Sequence, residues 1–169
     1  DTDERRRFAQ VSHEYLIEQV QHQNSTAKNM DLNFNHPVKE LIWTGAFNTT
    51  TGSRTALNTG DYKLKLNGHD RFAARPAEYF TRVQTYQHHT GSGIESDGAA
   101  GTGKLRLDEV AVYSFALKPE EHQPSGTCNF SRIDNAQLET PVSAEYNVYA
   151  VNYNVLRIMS GMGGLAYSN

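Results

Sequence analysis

The sequence predicts an all-β sandwich with a few short helices in its loops, and three observations carry that expectation. Two long runs, Leu105 to Leu117 (LRLDEVAVYSFAL) and Glu145 to Ile158 (EYNVYAVNYNVLRI), are rich in Val, Tyr and Phe. The second alternates Tyr146, Val148, Ala150 and Asn152 against Asn147, Tyr149, Val151, Tyr153 and Val155, the period of a strand. Shorter apolar runs are punctuated by Asn, Gly, Thr, Ser and Pro, which favour turns. There is no internal repeat and no heptad pattern, and the loops are long enough for Greek-key crossings.

Taken in order, Thr2 to Ala9 offers an N-cap hydroxyl, Asp3 and Glu4 in a first turn where the helix dipole favours acids, and then good helix formers. A short helix is predicted there. The period then changes: Tyr15, Ile17 and Gln19 fall on one side of an extended segment, with Leu16, Glu18 and Val20 on the other. Both faces are partly apolar, as in a strand of a two-layer protein. Further strands are predicted at Leu32 to His36, Val38 to Thr44, Tyr62 to Leu66 and Tyr79 to His88. Arg75 to Phe80, with Pro76 at a first helical position, gives a second short helix signal. The two long runs supply the central strands.

Bulk properties narrow the function. A chain of 169 residues fits one domain and is long enough to bury about 70% of the surface its unfolded form would expose. Sixteen Lys and Arg against nineteen Asp and Glu, a net charge of -3, give no basic field to draw nucleic acid. The run Arg5-Arg6-Arg7 is flanked by Asp1, Asp3 and Glu4 and reads as a solvated helix face. The single cysteine, Cys128, excludes an intramolecular disulfide framework and leaves no Cys pair for structural zinc. No apolar stretch approaches the roughly 20 residues that cross a bilayer, and the charged N-terminus is unlike a signal peptide. Neither direct nucleic-acid binding nor membrane insertion is expected. The opening DTDERRRF, without a methionine, reads as part of something longer.

Motifs that could carry chemistry fail on their context. Gly98 to Lys104 matches the opening of a phosphate-binding loop, but Leu105 stands where a Ser or Thr would hold magnesium, and strand-like sequence follows where a helix N-terminus is needed. The segment reads as a surface loop between strands. Seven histidines include no H-x-H pair, and His88-His89 would point to opposite faces of a strand. His13-Glu14 lacks the second His of H-E-x-x-H. His122, near Glu120, Glu121 and Cys128, is the densest ligand grouping, yet it sits in a turn with two prolines. Glu120-Glu121 are neighbours whose side chains diverge, unlike a glycosidase pair facing across a cleft. No serine occupies a G-x-S-x-G elbow, and Cys128 shows no local sign of activation. No catalytic, cofactor-binding or metal-binding residue is therefore expected, and no enzyme. Asn24, Asn48 and Asn129 open N-x-S/T triplets and are the candidate glycosylation sites, the first two in polar loops and the third in more packed surroundings.

Tyr113 to Asp134 (YSFALKPEEHQPSGTCNFSRID) has the physics of an elaborate corner. Pro119 starts a helical turn over Lys118-Pro119-Glu120-Glu121, and Gln123-Pro124-Ser125-Gly126 places Pro second and Gly fourth, a type I turn signature. This stretch resembles the C-terminal part of the major capsid protein of large icosahedral DNA viruses, the chlorella viruses and other phycodnaviruses together with the iridoviruses. Phe34 to Trp43 (FNHPVKELIW), Asn67 to Phe72 (NGHDRF), Tyr86 to Thr90 (YQHHT) and Asn152 to Asn169 resemble the same family, and DTDERRRFAQVSHEYLIEQ is similar to a segment in its middle.

The resemblance implies a double jelly roll, two eight-stranded sandwiches in one polypeptide, three copies of which form a pseudo-hexagonal capsomer. Residues 1–169 would be most of the second jelly roll, without the first sandwich and without the opening strands of the second. Missing strands leave unpaired edges, so the ordered state is expected to depend on further sequence. The implied partners are copies of itself in homotrimers, neighbouring capsomers and minor capsid proteins. The implied place is the outer icosahedral shell of a virion assembled in the infected cell's cytoplasm. Chlorella-virus relatives carry sugar on outward loops, at sites that do not follow the triplet rule. An alternative is a jelly-roll carbohydrate-binding module, in which Trp43 and the nine tyrosines would stack sugars.

Overall fold

The computed structural model describes residues 1–50, 53–54, 57, 60–91 and 108–168. Helix α1 (Thr2–Gln10) is capped by Asp1 rather than Thr2, the Asp1 carboxylate accepting from the Asp3 amide at 3.2 Å. The strands follow as β1 (His13–Ser25), β2 (Asn29–Asp31), β3 (Pro37–Gly45), β4 (Phe47–Asn48), β5 (Ser53–Arg54), β6 (Asp61–Leu66), β7 (His69–Asp70) and β8 (Arg75–Pro76). A π-helical turn (Tyr79–Val83) runs into α2 (Gln84–His88), and then come β9 (Val110–Ser114), β10 (Cys128–Asn129), a 3₁₀ turn (Phe130–Arg132), β11 (Ala136–Glu139), β12 (Tyr146–Met159) and β13 (Met162–Leu165).

These strands build two antiparallel sheets. One runs β1-β12-β3-β10, with β9 also on β3 and β13 on β12; the other runs β2-β11-β6-β7, with β8 also on β6. A small ribbon, β4-β5, stands apart. Successive strands cross between the sheets so that β1, β3, β9 and β12 share one while β2, β6, β7 and β11 share the other, which is the winding of a jelly roll.

The core lies between the sheets. Leu41 and Trp43 of β3 sit opposite Ala150 and Val148 of β12, and this inward row faces Leu64 and Tyr62 of β6 and Leu138 of β11. Phe80 closes the cluster, its ring 5.1 Å from Trp43, 5.3 Å from Phe72 and 6.1 Å from Tyr62. Tilted and edge-on aromatic contacts of this kind add to area burial.

Three segments depart from expectation, each for a physical reason. Leu32 to His36 alternates buried and exposed residues as a strand would, but among the described residues no strand pairs with it along that stretch. Its middle is bonded by glutamine side chains of β1 instead: Gln21 accepts from the Asn35 amide at 3.0 Å and donates to the Asn35 carbonyl at 2.7 Å, and Gln23 accepts from the Asn33 amide at 2.9 Å, while the Leu32 amide donates to the Ala136 carbonyl at 2.8 Å and the His36 amide to the Ser131 hydroxyl at 2.8 Å. Tyr79 to His88 is helical, not a strand. Ala77, Phe80, Thr81 and Gln84 are buried at spacings of three and four, so one helical face docking on the aromatic core overrides the β-favouring composition. Pro76 ends β8 just before that helix rather than starting it. The third is the run Leu105 to Leu117, of which only Val110–Ser114 forms strand; residues 105–107 lie outside the described residues. At Asp108 the backbone turns with φ 66, and its carboxylate is gripped by Arg82 at 3.0 and 2.7 Å and by the Thr81 hydroxyl at 2.6 Å.

Two carboxylates are held ionised by such partners. Hydrogen bonding from Arg82 lowers the Asp108 pKa, and hydrogen bonding from Lys65, with Lys63, lowers that of Glu139. Depressed carboxylates add stability above their unfolded pKa and lose it as pH falls through the folded value. Thermal melts are therefore expected to show falling stability below about pH 4, with Arg82→Ala flattening part of that slope. An acid limb unchanged in Arg82→Ala would exclude the Asp108 contribution.

Candidate assembly surface

Sheet length determines what this sandwich exposes. Strands β1 and β12 pair over thirteen residues, from His13↔Ile158 to Ser25↔Tyr146, whereas the strands of the second sheet span six residues or fewer. One end of the first sheet therefore overhangs. Tyr15 and Leu165, on strands that flank Leu156 of β12, remain 46% and 47% exposed although they lie on the inward row. On the opposite face Leu16 and Val20 are exposed, and Met162 is exposed at the β12-β13 turn. Among the described residues, β1 pairs only with β12, so its other edge is open. Apolar overhangs and open strand edges mark surfaces that another polypeptide covers.

The corner after β9 is the second feature. Pro119 is fully buried, and Lys118 to Glu121 forms one hydrogen-bonded turn, the Glu121 amide donating to the Lys118 carbonyl at 3.3 Å. Two charged residues in the middle of β3 reach this corner from opposite sides. Lys39 sits at a bulge where β3 slips against β12; its ammonium donates to Glu18 at 2.7 Å and lies 5.5 Å from the centre of the Tyr153 ring. The His122 ring meets the same Glu18 oxygen at 3.4 Å and the Leu16 carbonyl at 3.0 Å. On the other side Glu40 contacts His89 Nε2 at 2.7 Å, while His89 Nδ1 lies 3.2 Å from Glu120. Glu120 also accepts from the Thr90 amide at 2.9 Å and the Thr90 hydroxyl at 3.1 Å. Hydrogen bonding to Glu40 raises the His89 pKa, and the Thr90 amide lowers that of Glu120.

The residues singled out from sequence fall as follows. His88 and His89 close a helix instead of alternating along a strand, and His88 bonds the Gln84 carbonyl. His122 turns to Glu18 and Leu16, not to Cys128, whose thiol burial pushes up. Among the described residues no group of three or more His, Cys, Asp or Glu side chains is placed to hold a metal ion, and no helix is long and apolar enough to cross a membrane. Residues 98–104, the phosphate-loop look-alike, lie outside the described residues. Trp43 is 1% exposed beneath Tyr62 and Phe80, so it cannot stack a sugar. Asn24 lies in strand β1 opposite Asn147, not in a loop, and is exposed. Asn48 lies on β4 opposite Ser53. Asn129 is half-buried and caps the 3₁₀ turn, its side chain accepting from the Ser131 amide at 3.1 Å. Sequence reasoning missed the Lys39 and Glu40 chains, although two charges inside the apolar run VKELIW were a visible signal.

The fold is a jelly-roll sandwich whose longer sheet overhangs the other and leaves apolar side chains exposed at that end. The family described as large eukaryotic DNA virus major capsid protein matches residues 4–164, and the chain belongs to it. It is 54% identical to the major capsid protein of Pyramimonas orientalis virus, covering 100% of this chain and 46% of that one. It is 41% identical to the major capsid protein of Paramecium bursaria Chlorella virus 1, covering 100% of this chain and 52% of the relative. Among solved structures it is similar to a chain of the PBCV-1 virus capsid, with TM-score 0.75 and 39% identity over 100% of this chain and 55% of the other. The chain thus spans about half the length of the relatives it matches.

Proposed function

We propose that residues 1–169 form the C-terminal jelly roll of a major capsid protein, a structural component that builds the outer shell of a large DNA virus and catalyses no reaction. The similarity to capsid proteins along the entire chain, on a sandwich of matching fold, is the observation that carries this reading. Its partners are copies of itself in trimeric capsomers, neighbouring capsomers and minor capsid proteins, with no direct contact to nucleic acid and no insertion into a membrane. Assembly takes place in the infected cell's cytoplasm. The overhang of β1, β12 and β13 fits this work, because a shell subunit gains most from apolar surface that sister chains or the rest of its own polypeptide cover. Native mass measurement on the full-length protein is expected to give trimers. A monomer with measurable glycan affinity would favour the carbohydrate-binding module instead.

Between Asn24 and Asn129, Asn24 is the better placed to carry sugar, because it is exposed and Ser25-Thr26 follow it at the end of β1. Asn129 spends its side chain on a cap. Intact mass of protein from infected cells is expected to fall by one glycan in Asn24→Gln and to stay unchanged, apart from the residue difference, in Asn129→Gln. Loss of sugar from Asn129→Gln alone would reverse that assignment.

A further inference from the structure

The His89 ring is held between acceptors only. Its Nε2 lies 2.7 Å from the Glu40 carboxylate and its Nδ1 3.2 Å from the Glu120 carboxylate. A neutral imidazole carries one N–H and could donate to one of these, leaving a lone pair against the other carboxylate. Only the doubly protonated ring satisfies both contacts. The two carboxylates differ: the Glu40 side chain is 7% exposed in central strand β3, whereas that of Glu120 is 38% exposed on the corner. A ring with one remaining proton keeps it toward the buried Glu40, where an unpaired charge is most costly. The contact given up is the one to Glu120.

We propose that His89 is a proton-operated latch: the doubly protonated ring ties β3 to the corner Lys118–His122, and loss of its Nδ1 proton to solvent loosens the corner, leaving Glu120 held by the Thr90 amide and hydroxyl alone. The groups facing the ring are Glu40 from β3, Glu120 from the corner and, on its own segment, Thr90 and His88, the last turned to the Gln84 carbonyl. His122 anchors the far side of the corner and also faces two acceptors, Glu18 and the Leu16 carbonyl, but more loosely. Because the pKa of His89 is raised, the latch is fully closed below the ordinary histidine value of about 6.5 and opens as pH rises through the higher folded value. The Thr90 amide, which donates to Glu120, reports the state of the latch.

Hydrogen exchange of the full-length protein in its native oligomer, read by mass spectrometry and normalised to intrinsic rates, tests this. Protection of the peptides covering Thr90 and Glu120-Glu121 is expected to fall about threefold to tenfold between about pH 6 and about pH 9. In His89→Gln the same peptides should lose most of that pH dependence, since the amide cannot titrate and only His122, which faces Glu18 and Leu16, remains on the corner. If that variant does not fold, Glu120→Gln, which changes an exposed side chain, should lower the pH at which the remaining loss occurs. Protection that is flat with pH in the wild-type protein, or a pH profile unchanged in both variants, would overturn the latch.

Discussion

Trp43→Ala is expected to destabilise the protein by about 3–5 kcal/mol, a large part of the roughly 5–15 kcal/mol that holds an ordinary domain together. Trp43 is the largest of the fully buried side chains and the point where the two sheets and the helical segment meet, against Tyr62 and Phe80. Its removal leaves a cavity that rigid β layers cannot collapse around. Trp43→Phe separates volume from hydrogen bonding. The indole Nε1 is buried with no hydrogen-bond partner, so losing it forfeits no bond, and the cost should be well below that of the alanine. Urea midpoints for the two variants measure the difference. Equal midpoints would mean that the aromatic cluster is not the centre of the core.

Gly126→Ala is expected to cost on the order of 2–4 kcal/mol, combining backbone strain with a steric clash. Gly126 has φ +144, and a Cβ there would lie 2.7 Å from the Phe115 carbonyl oxygen. The obstacle is backbone on the other limb of the corner, so the corner must open to make room. Gly68, at φ +78 in the two-residue turn between β6 and β7, provides the comparison, because nothing lies within 4 Å of its Cβ position. Gly68→Ala should cost only about 1 kcal/mol. Melting curves of the pair test this, and a Gly126→Ala variant no worse than Gly68→Ala would show that the corner is more pliable than its geometry implies.

The corner also shows what a sequence reveals. Pro second and Gly fourth in Gln123-Pro124-Ser125-Gly126 announced a reversal, but not that Gly126 is required by the distant Phe115 carbonyl. Strands long enough to show their period, β1, β3, β6 and β12, were legible from composition and alternation. The short strands β2, β7, β8, β10 and β13 were not, since two to four residues carry no period, and β11 shows its alternation only in the burial of Ala136 and Leu138. Tyr79 to His88 misled because Tyr, Phe, Thr and Val favour strands locally, while the decision rests on the docking of Phe80 into a core assembled from remote strands. Ladder hydrogen bonds supplied by Gln21 and Gln23 side chains to Asn33 and Asn35 were invisible for the same reason. Of the assembly surface, the apolar residues of β1 were legible on both faces. Which of them stay uncovered depends on the relative lengths of the two sheets, and that is a property of the whole fold.

Electron cryo-microscopy of purified particles tests the central proposal most directly. Density for this sandwich is expected in every capsomer of the outer shell, three copies to each, with the Tyr15–Leu165 overhang covered by neighbouring polypeptide. Particles whose shell lacks this sandwich, or a sandwich found only as a monomer with Tyr15 and Leu165 facing solvent, would contradict it.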